Sequence, residues 1–262
     1  MDSRADEAAR PRALVTGAGA GLGREYTRRL AADSYDLVLV GRNEARLREL
    51  AQQLESEFSI RAEVVPADLS AAEGIDAIRA VIESTRVDLL INNAGYGLKH
   101  GLLDSDPDEL AELDTVLSGA VRDLSVAAAK EMKARGRGGI INVSSLAALT
   151  TMGQYAASKS AALVFTEALA GELRDTPVTV TAVLPGFIRT EFHERLGVDR
   201  PGPGWIWLDV EHVVTRSLAD ARRGKVVSIP GWQYRLAAQV AHVAPRSLIR
   251  LGSEKFSFER NS

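Results

Sequence analysis

Seven short apolar runs, separated by longer stretches of helical periodicity, constrain this chain more than any other feature. The runs are Ala13–Val15, Tyr35–Val40, Arg61–Pro66, Val87–Ile91, Gly139–Val143, Val178–Leu184 and Lys225–Ile229. Helical stretches fill the gaps: from the glycine loop to about Ala32, then 44–58, 71–85, Pro107 to Arg135, Gly153 to Arg174, and Val210 to Arg222. A strand apolar at consecutive residues is buried on both faces, and parallel strands need crossover helices between them. The alternation therefore predicts an α/β fold built on a parallel sheet.

The first six runs each close on a cluster of glycines or polar residues: Gly17–Gly23, Arg42, Asp68, Asn92–Gly95, Ser144–Ser145 and Pro185–Thr190. In an open parallel sheet, ligands sit beyond the carboxyl ends of the strands, at the switch point of the topology. The shared placement of these clusters predicts a ligand crevice there.

Gly17, Gly21 and Gly23 stand between the first strand and its helix, in the spacing G-x-x-x-G-x-G. Glycine permits positive φ and close backbone approach, and a helix N-terminus favours anions. A pyrophosphate suits such a loop, although a loop of this kind alone also serves as an ordinary turn. After the second run, NAD sites usually present a carboxylate to the ribose. Here Arg42 follows Gly41, and a guanidinium can pair a 2′-phosphate bidentately. That predicts NADP(H) preferred over NAD(H), against a plain solvated arginine. Asp68 can reach an adenine amine or cap the helix after it. Tyr155 and Lys159 are four apart, on one face of a helix of about 3.6 residues per turn. A phenol ionises near ~10 in water, and a nearby cation favours its ionised form.

Composition excludes several classes. The 262 residues are 45% hydrophobic, enough for one large domain, with a net charge of -3 and no basic bias toward nucleic acid. The chain has no cysteine, hence no disulfide or thiolate-bound metal, which fits a cytoplasmic location. His100, His193, His212 and His242 are scattered, so no metal site is expected. No apolar run approaches the ~20 residues of a membrane span, and residues 1–11 read as a disordered tail without an apolar signal core.

Taken together, Thr16–Gly23, Asn92-Asn93-Ala94-Gly95, Ser145, Tyr155-x-x-x-Lys159 and Pro185-Gly186 resemble, in order and spacing, the short-chain dehydrogenase/reductase family over residues 12–231. The resemblance implies a single Rossmann-like three-layer sandwich with a seven-stranded parallel sheet. It implies hydride transfer between a nicotinamide cofactor and an alcohol or carbonyl substrate, in a homodimer or homotetramer. Tyr155 then exchanges the proton at the substrate oxygen, Lys159 lowers its pKa and holds the nicotinamide ribose, and Ser145 polarises the carbonyl, with Ser144 as the alternative. Gly17, Gly19, Gly21, Leu22, Gly23, Arg42, Asp68, Leu69, Asn93, Ala94 and Gly95 follow as cofactor contacts. Pro185, Gly186, Ile188 and Thr190 cover the nicotinamide and its phosphate.

Two departures stand out. Val116, in Thr115-Val116-Leu117-Ser118-Gly119, takes the place of an asparagine that usually serves a proton relay from the lysine. Ser145 and Tyr155 are ten positions apart, shorter than the family's usual spacing. Both leave open a second reading, a weakly catalytic dinucleotide-binding sensor. The variable lid, about 188–209, carries Phe192, His193, Leu196, Trp205, Ile206, Trp207 and Leu208. It suits a large apolar substrate, or else serves packing. In the helical extension 232–262, the stripe Trp232, Leu236, Val240 and Val243 is expected to dock on the body or an oligomer partner, with membrane-surface contact as the alternative.

Overall fold

The computed structural model describes residues 10–189 and 203–256. Most of the expected tail, together with Thr190, Phe192, His193 and Leu196, lies outside the described residues. Arg10 and Pro11 do not fray. The Asp36 amide donates to the Pro11 carbonyl at 2.9 Å, and Arg10 reaches the Ser59 carbonyl.

The strands are β1 (Arg12–Thr16), β2 (Asp36–Gly41), β3 (Ala62–Pro66), β4 (Leu89–Asn92), β5 (Gly138–Val143), β6 (Val178–Val183) and β7 (Val227–Ser228). They form one seven-stranded sheet in the order β3-β2-β1-β4-β5-β6-β7, parallel throughout. This is the Rossmann-like arrangement, with its switch point between β1 and β4. In register, Val15 sits between Leu39 and Ile91, and Asn92 pairs with Asn142. Edge strand β3 carries exposed Glu63 and Pro66, which blunt its free edge.

Alternate strand residues serve opposite layers, because successive side chains point to opposite faces. Leu14, Val38, Leu90, Ile140 and Val180 face helices α3 (Ala72–Ser84), α5 (Ala120–Arg135) and α6 (Gly153–Glu172) through Ile78, Leu124, Met132 and Leu169. Val15, Leu39, Ile91, Ile141 and Val183 face α1 (Gly21–Ala32), α2 (Glu44–Phe58) and α7 (Val210–Arg222) through Leu30, Leu47 and Leu218. Double-sided burial is why the runs are apolar without interruption. Between β4 and β5, buried Asn92 donates to Asn142 at 2.9 Å and to Ser125 at 3.0 Å, and Asn142 donates to Thr166 at 2.9 Å. Each polar group there has a partner, as burial requires.

The helix expected from Pro107 to Arg135 is interrupted. α4 (Pro107–Asp114) starts in a capping box of Asp106 and Glu109, and it gives way to a π turn at Thr115–Gly119 before α5. The Ala120 amide donates to the Thr115 carbonyl five residues back. Thr115 also bonds its side chain to the Ala111 carbonyl, and Asp114 is held from α6 by Ser158. Neither bond shows in the helical periodicity, so the bulge was invisible in sequence. Beyond β7, α8 (Trp232–Val243) and α9 (Arg246–Phe256) complete the chain.

Candidate active site

The carboxyl ends of the strands open on a crevice of about 1970 Å³ that reaches from Arg42 and Asp68 at one end to α8 and α9 at the other. Its floor is the glycine loop. Gly17 adopts φ +65°, and a Cβ there would lie 2.9 Å from the Ala94 Cα. Gly17, Gly19, Gly21 and Leu22 line the crevice, whereas Gly23 does not. Gly23 is a packing glycine: a Cβ on it would sit 2.1 Å from the Gly17 carbonyl oxygen. It lies against the loop, behind the crevice wall.

Thr16, absent from the sequence-based candidates, organises this loop. Its hydroxyl accepts from the amides of Asn93 at 2.9 Å and Ala94 at 3.0 Å. The Asn93 side chain donates back to the carbonyls of Thr16 at 3.0 Å and Gly17 at 3.2 Å. The signal for Thr16 in the sequence was its place at the head of the Thr16–Gly23 motif. Helix α1 then begins at Gly21 with no side-chain cap from Ala20, so its first amides point at the crevice. Uncapped donors, the helix dipole and a side-chain-free cradle fit a pyrophosphate.

At the far end, Arg42 and Arg46 both line the crevice, with Asp68 and Leu69. The Asp68 carboxylate accepts from the Ser70 amide at 3.0 Å and hydroxyl at 2.9 Å. The Ser70 amide chiefly holds its pKa below the ordinary value, and Arg42 adds to the effect. Asp68 therefore shapes the turn before α3 while keeping a place on the crevice wall.

The presumed reacting groups converge from β5 and α6. Ser145 closes β5 and caps the single turn Leu146–Leu149, accepting from the Ala147 amide at 3.1 Å. Its hydroxyl also hydrogen-bonds the half-buried Tyr155, so the short spacing does not separate them. Ser144 is turned away: its hydroxyl donates to the Lys159 carbonyl at 2.7 Å and ties β5 to α6. Lys159 is buried, 6.0 Å from the Tyr155 ring centroid, and its ammonium donates to the Val143 carbonyl at 2.6 Å.

These contacts correct the expected tuning of Tyr155. Burial pushes its phenol up to about 12, opposed only by the Ser145 hydrogen bond. Burial also pushes Lys159 down to about 8. Desolvation disfavours the charged form of each group, which raises a phenol and lowers an amine. In this state the phenol is held in its protonated form.

Val116 lines the crevice from the π turn, next to Leu113. Pro185, Gly186 and Ile188 form the opposite wall, and Ile188 bridges Leu208. A Cβ at Gly186 would meet the Tyr234 ring at 2.0 Å. Tyr234 accepts from the Phe187 amide at 3.0 Å and donates to the Ile206 carbonyl, so α8 ties Phe187 to Ile206. This residue lies in the extension, beyond every recognised motif, and sequence gave no sign of it. Of the lid tryptophans, Trp205 lines the crevice, while Trp207 is buried against Phe187 with ring centroids 5.2 Å apart. Trp207 is thus ordinary packing.

A fold with a switch-point crevice, a glycine loop feeding a helix and a Ser-Tyr-Lys cluster defines a nicotinamide-dependent oxidoreductase. The sequence model for short chain dehydrogenases matches residues 11–200, and the chain belongs to the short-chain dehydrogenase/reductase family. It is 35% identical over 241 residues to the short-chain reductase protein NovJ of Streptomyces niveus, covering 88% of this chain and 86% of that protein. A short-chain dehydrogenase from Sphingobium yanoikuyae, solved in complex with NADPH, superposes with a TM-score of 0.81 at 31% identity, over 88% of this chain and 93% of that one. The bulky-bulky ketone specific alcohol dehydrogenase of Comamonas testosteroni gives 0.78 at 27% identity, over 88% and 92%.

Proposed function

We propose that the protein is an NADP(H)-dependent reductase of a large, apolar ketone, working in a single domain over 12–231 with its lid at about 188–209. The hydrogen bond between Ser145 and Tyr155 at the crevice wall carries this reading. When bound, the dinucleotide supplies the hydride. Ser145 and Tyr155 offer two hydroxyls to one carbonyl oxygen, where negative charge develops during reduction. Tyr155 gives up its proton there, and its raised pKa keeps it protonated until then. Lys159 holds the Val143 carbonyl from beneath and is the group placed to meet a ribose. Asn93, Ala94 and Gly95 run beside the Gly17 loop.

Arg42 supports NADP(H), as does the absence of a carboxylate at the β2 end. Leu113, Val116, Leu149 and Trp205 on the crevice wall support an apolar substrate, in keeping with the ketone class named for the Comamonas enzyme. The absence of cysteine suits the cytoplasm. The test is purified protein with NADPH and a panel of aryl, steroid and fatty-acyl ketones, followed by NADPH absorbance. Turnover of bulky ketones supports the proposal. NADPH binding without oxidation across the panel makes the protein a sensor instead.

A further inference from the structure

The outer side of α8 has no part in the crevice. Helix α8 presses Tyr234 and Ala238 into the body, and both are buried. Its opposite side, at spacings of three and four residues, carries Trp232 (67% exposed), Leu236 (56%), Val240 (56%) and Val243 (85%). The expected stripe is real, but it faces away from the body, because Tyr234 and Ala238 already occupy the docking side. On helix α9, Ser253 is buried and bonded to the Thr151 amide, Leu251 is exposed on the outer side, and the exposed Leu248 borders the crevice. Trp205 stands alongside, its carbonyl accepting from the Gln233 side chain at 3.3 Å. Single exposed apolar residues are ordinary, whereas a contiguous set marks an interaction surface.

Charge selects the occupant. Residues 232–256 hold Arg235, Arg246, Arg250 and Lys255 against the single carboxylate of Glu254, in a chain whose net charge is -3. A second copy docked on this face would bring two cationic segments together. An anionic lipid surface complements both the charge and the apolar stripe. We propose that α8 and α9 lie on an anionic membrane surface, with Trp232, Leu236, Val240 and Val243 in the acyl boundary and the arginines at the headgroups. No helix among the described residues is long and apolar enough to cross a membrane, so the attachment is superficial. Ala237, Ala241 and Ile249 of the same helices line the crevice, so its mouth lies beside the lipid. The proposal holds whichever carbonyl compound the site takes.

The full chain is tested by co-sedimentation with phosphatidylcholine vesicles, with and without about 30% phosphatidylglycerol, at low and high salt. Light scattering gives its oligomeric state. Binding should be roughly tenfold stronger to the anionic vesicles and should weaken with salt. The triple variant Trp232→Ser, Leu236→Ser, Val240→Ser and the double variant Arg235→Glu, Arg250→Glu should both lose it. Each should keep the wild-type circular dichroism and NADPH-induced thermal shift. Equal binding to neutral vesicles overturns the proposal, as does binding that survives the triple substitution. Absence of vesicle binding also overturns it. In that case, an oligomer that the triple variant dissociates identifies the face as a subunit contact.

Discussion

The Ser158 hydroxyl donates to the Asp114 carboxylate at 2.6 Å, joining the catalytic helix to the residue that precedes the π turn. Gln154 adds a 3.1 Å bond to the same hydroxyl. Ser158 is fully buried and adjoins Lys159, so this contact ties α6 to the π turn that carries Val116. Ser158→Ala should cost about 1–3 kcal/mol in urea unfolding, because the Asp114 carboxylate loses a buried donor. It should also lower kcat for ketone reduction while leaving the KM for NADPH near the wild-type value. Unchanged stability would mean that Asp114 finds another donor and that the π turn does not depend on α6.

On the proposed mechanism, Tyr155→Phe removes the proton donor and one of the two hydroxyls offered to the substrate oxygen. Loss of a general acid typically costs 10²–10⁴-fold, so kcat should fall by roughly that factor. The cofactor cradle is built from Thr16, Gly17 and Asn93, so the thermal shift produced by NADPH should persist. Ser145→Ala should reduce kcat as well, since it removes the partner that orients the phenol. Steady-state kinetics alongside calorimetric NADPH titration separate these effects. Near-normal turnover in Tyr155→Phe would place the acid elsewhere.

Gly23→Ala tests the packing role. The added methyl would meet the Gly17 carbonyl at 2.1 Å and the Asn93 side-chain amide at 2.6 Å. Both neighbours belong to the loop's own hydrogen-bond set, so relief requires α1 to move away from β1. Overpacking of this kind typically costs about 1–3 kcal/mol. The variant should melt at lower temperature and bind NADPH more weakly, although Gly23 does not line the crevice. A variant of wild-type stability would show that the loop yields easily.

Arg42→Asp should exchange the preference for NADPH over NADH. A charge-assisted hydrogen bond contributes about 1.5–3 kcal/mol, so the ratio of kcat/KM values should shift by roughly 10- to 100-fold or more toward NADH. Arg46, in the first turn of α2, borders the same end of the crevice, and Arg46→Ala should give a smaller shift in the same direction. A ratio indifferent to both substitutions would remove the basis for preferring the phosphorylated cofactor.

The sheet was readable in advance because double-sided burial writes itself as uninterrupted apolar runs, and strand ends carry the glycines and polar residues that a crevice needs. Ser145, Tyr155 and Lys159 converge because ten and four residues of spacing leave little freedom once β5 and α6 are fixed. What sequence did not carry depends on contacts between distant segments. The π turn rests on Asp114 meeting Ser158, 44 positions away. The lid base rests on Tyr234 filling the space that Gly186 leaves. β7 pairs over only Val227–Ser228, against the expected Lys225–Ile229, because just two residues of β6 are in register with it. The upward shift of Tyr155 in the cofactor-free chain comes from desolvation, which residue spacing does not reveal.

Lys159 gives the cofactor-free protein a distinctive pH dependence. Its ordinary pKa of 10.5 falls to about 8 in the folded chain because burial disfavours the ammonium. Between those values the unfolded chain binds more protons than the folded one, so stability rises with pH across the window. Below about 8 both states are charged, and the full penalty of burying the ammonium applies. Lys159→Met removes this contribution. The melting temperature of wild type minus variant, followed from pH 7 to 10, should therefore be flat up to about 8 and then climb. Tyr155, pushed the other way to about 12, stays protonated through the same range and does not interfere. A difference that stays flat to pH 10 would mean that the folded chain holds the Lys159 proton at least as tightly as water does, so that burial does not depress it.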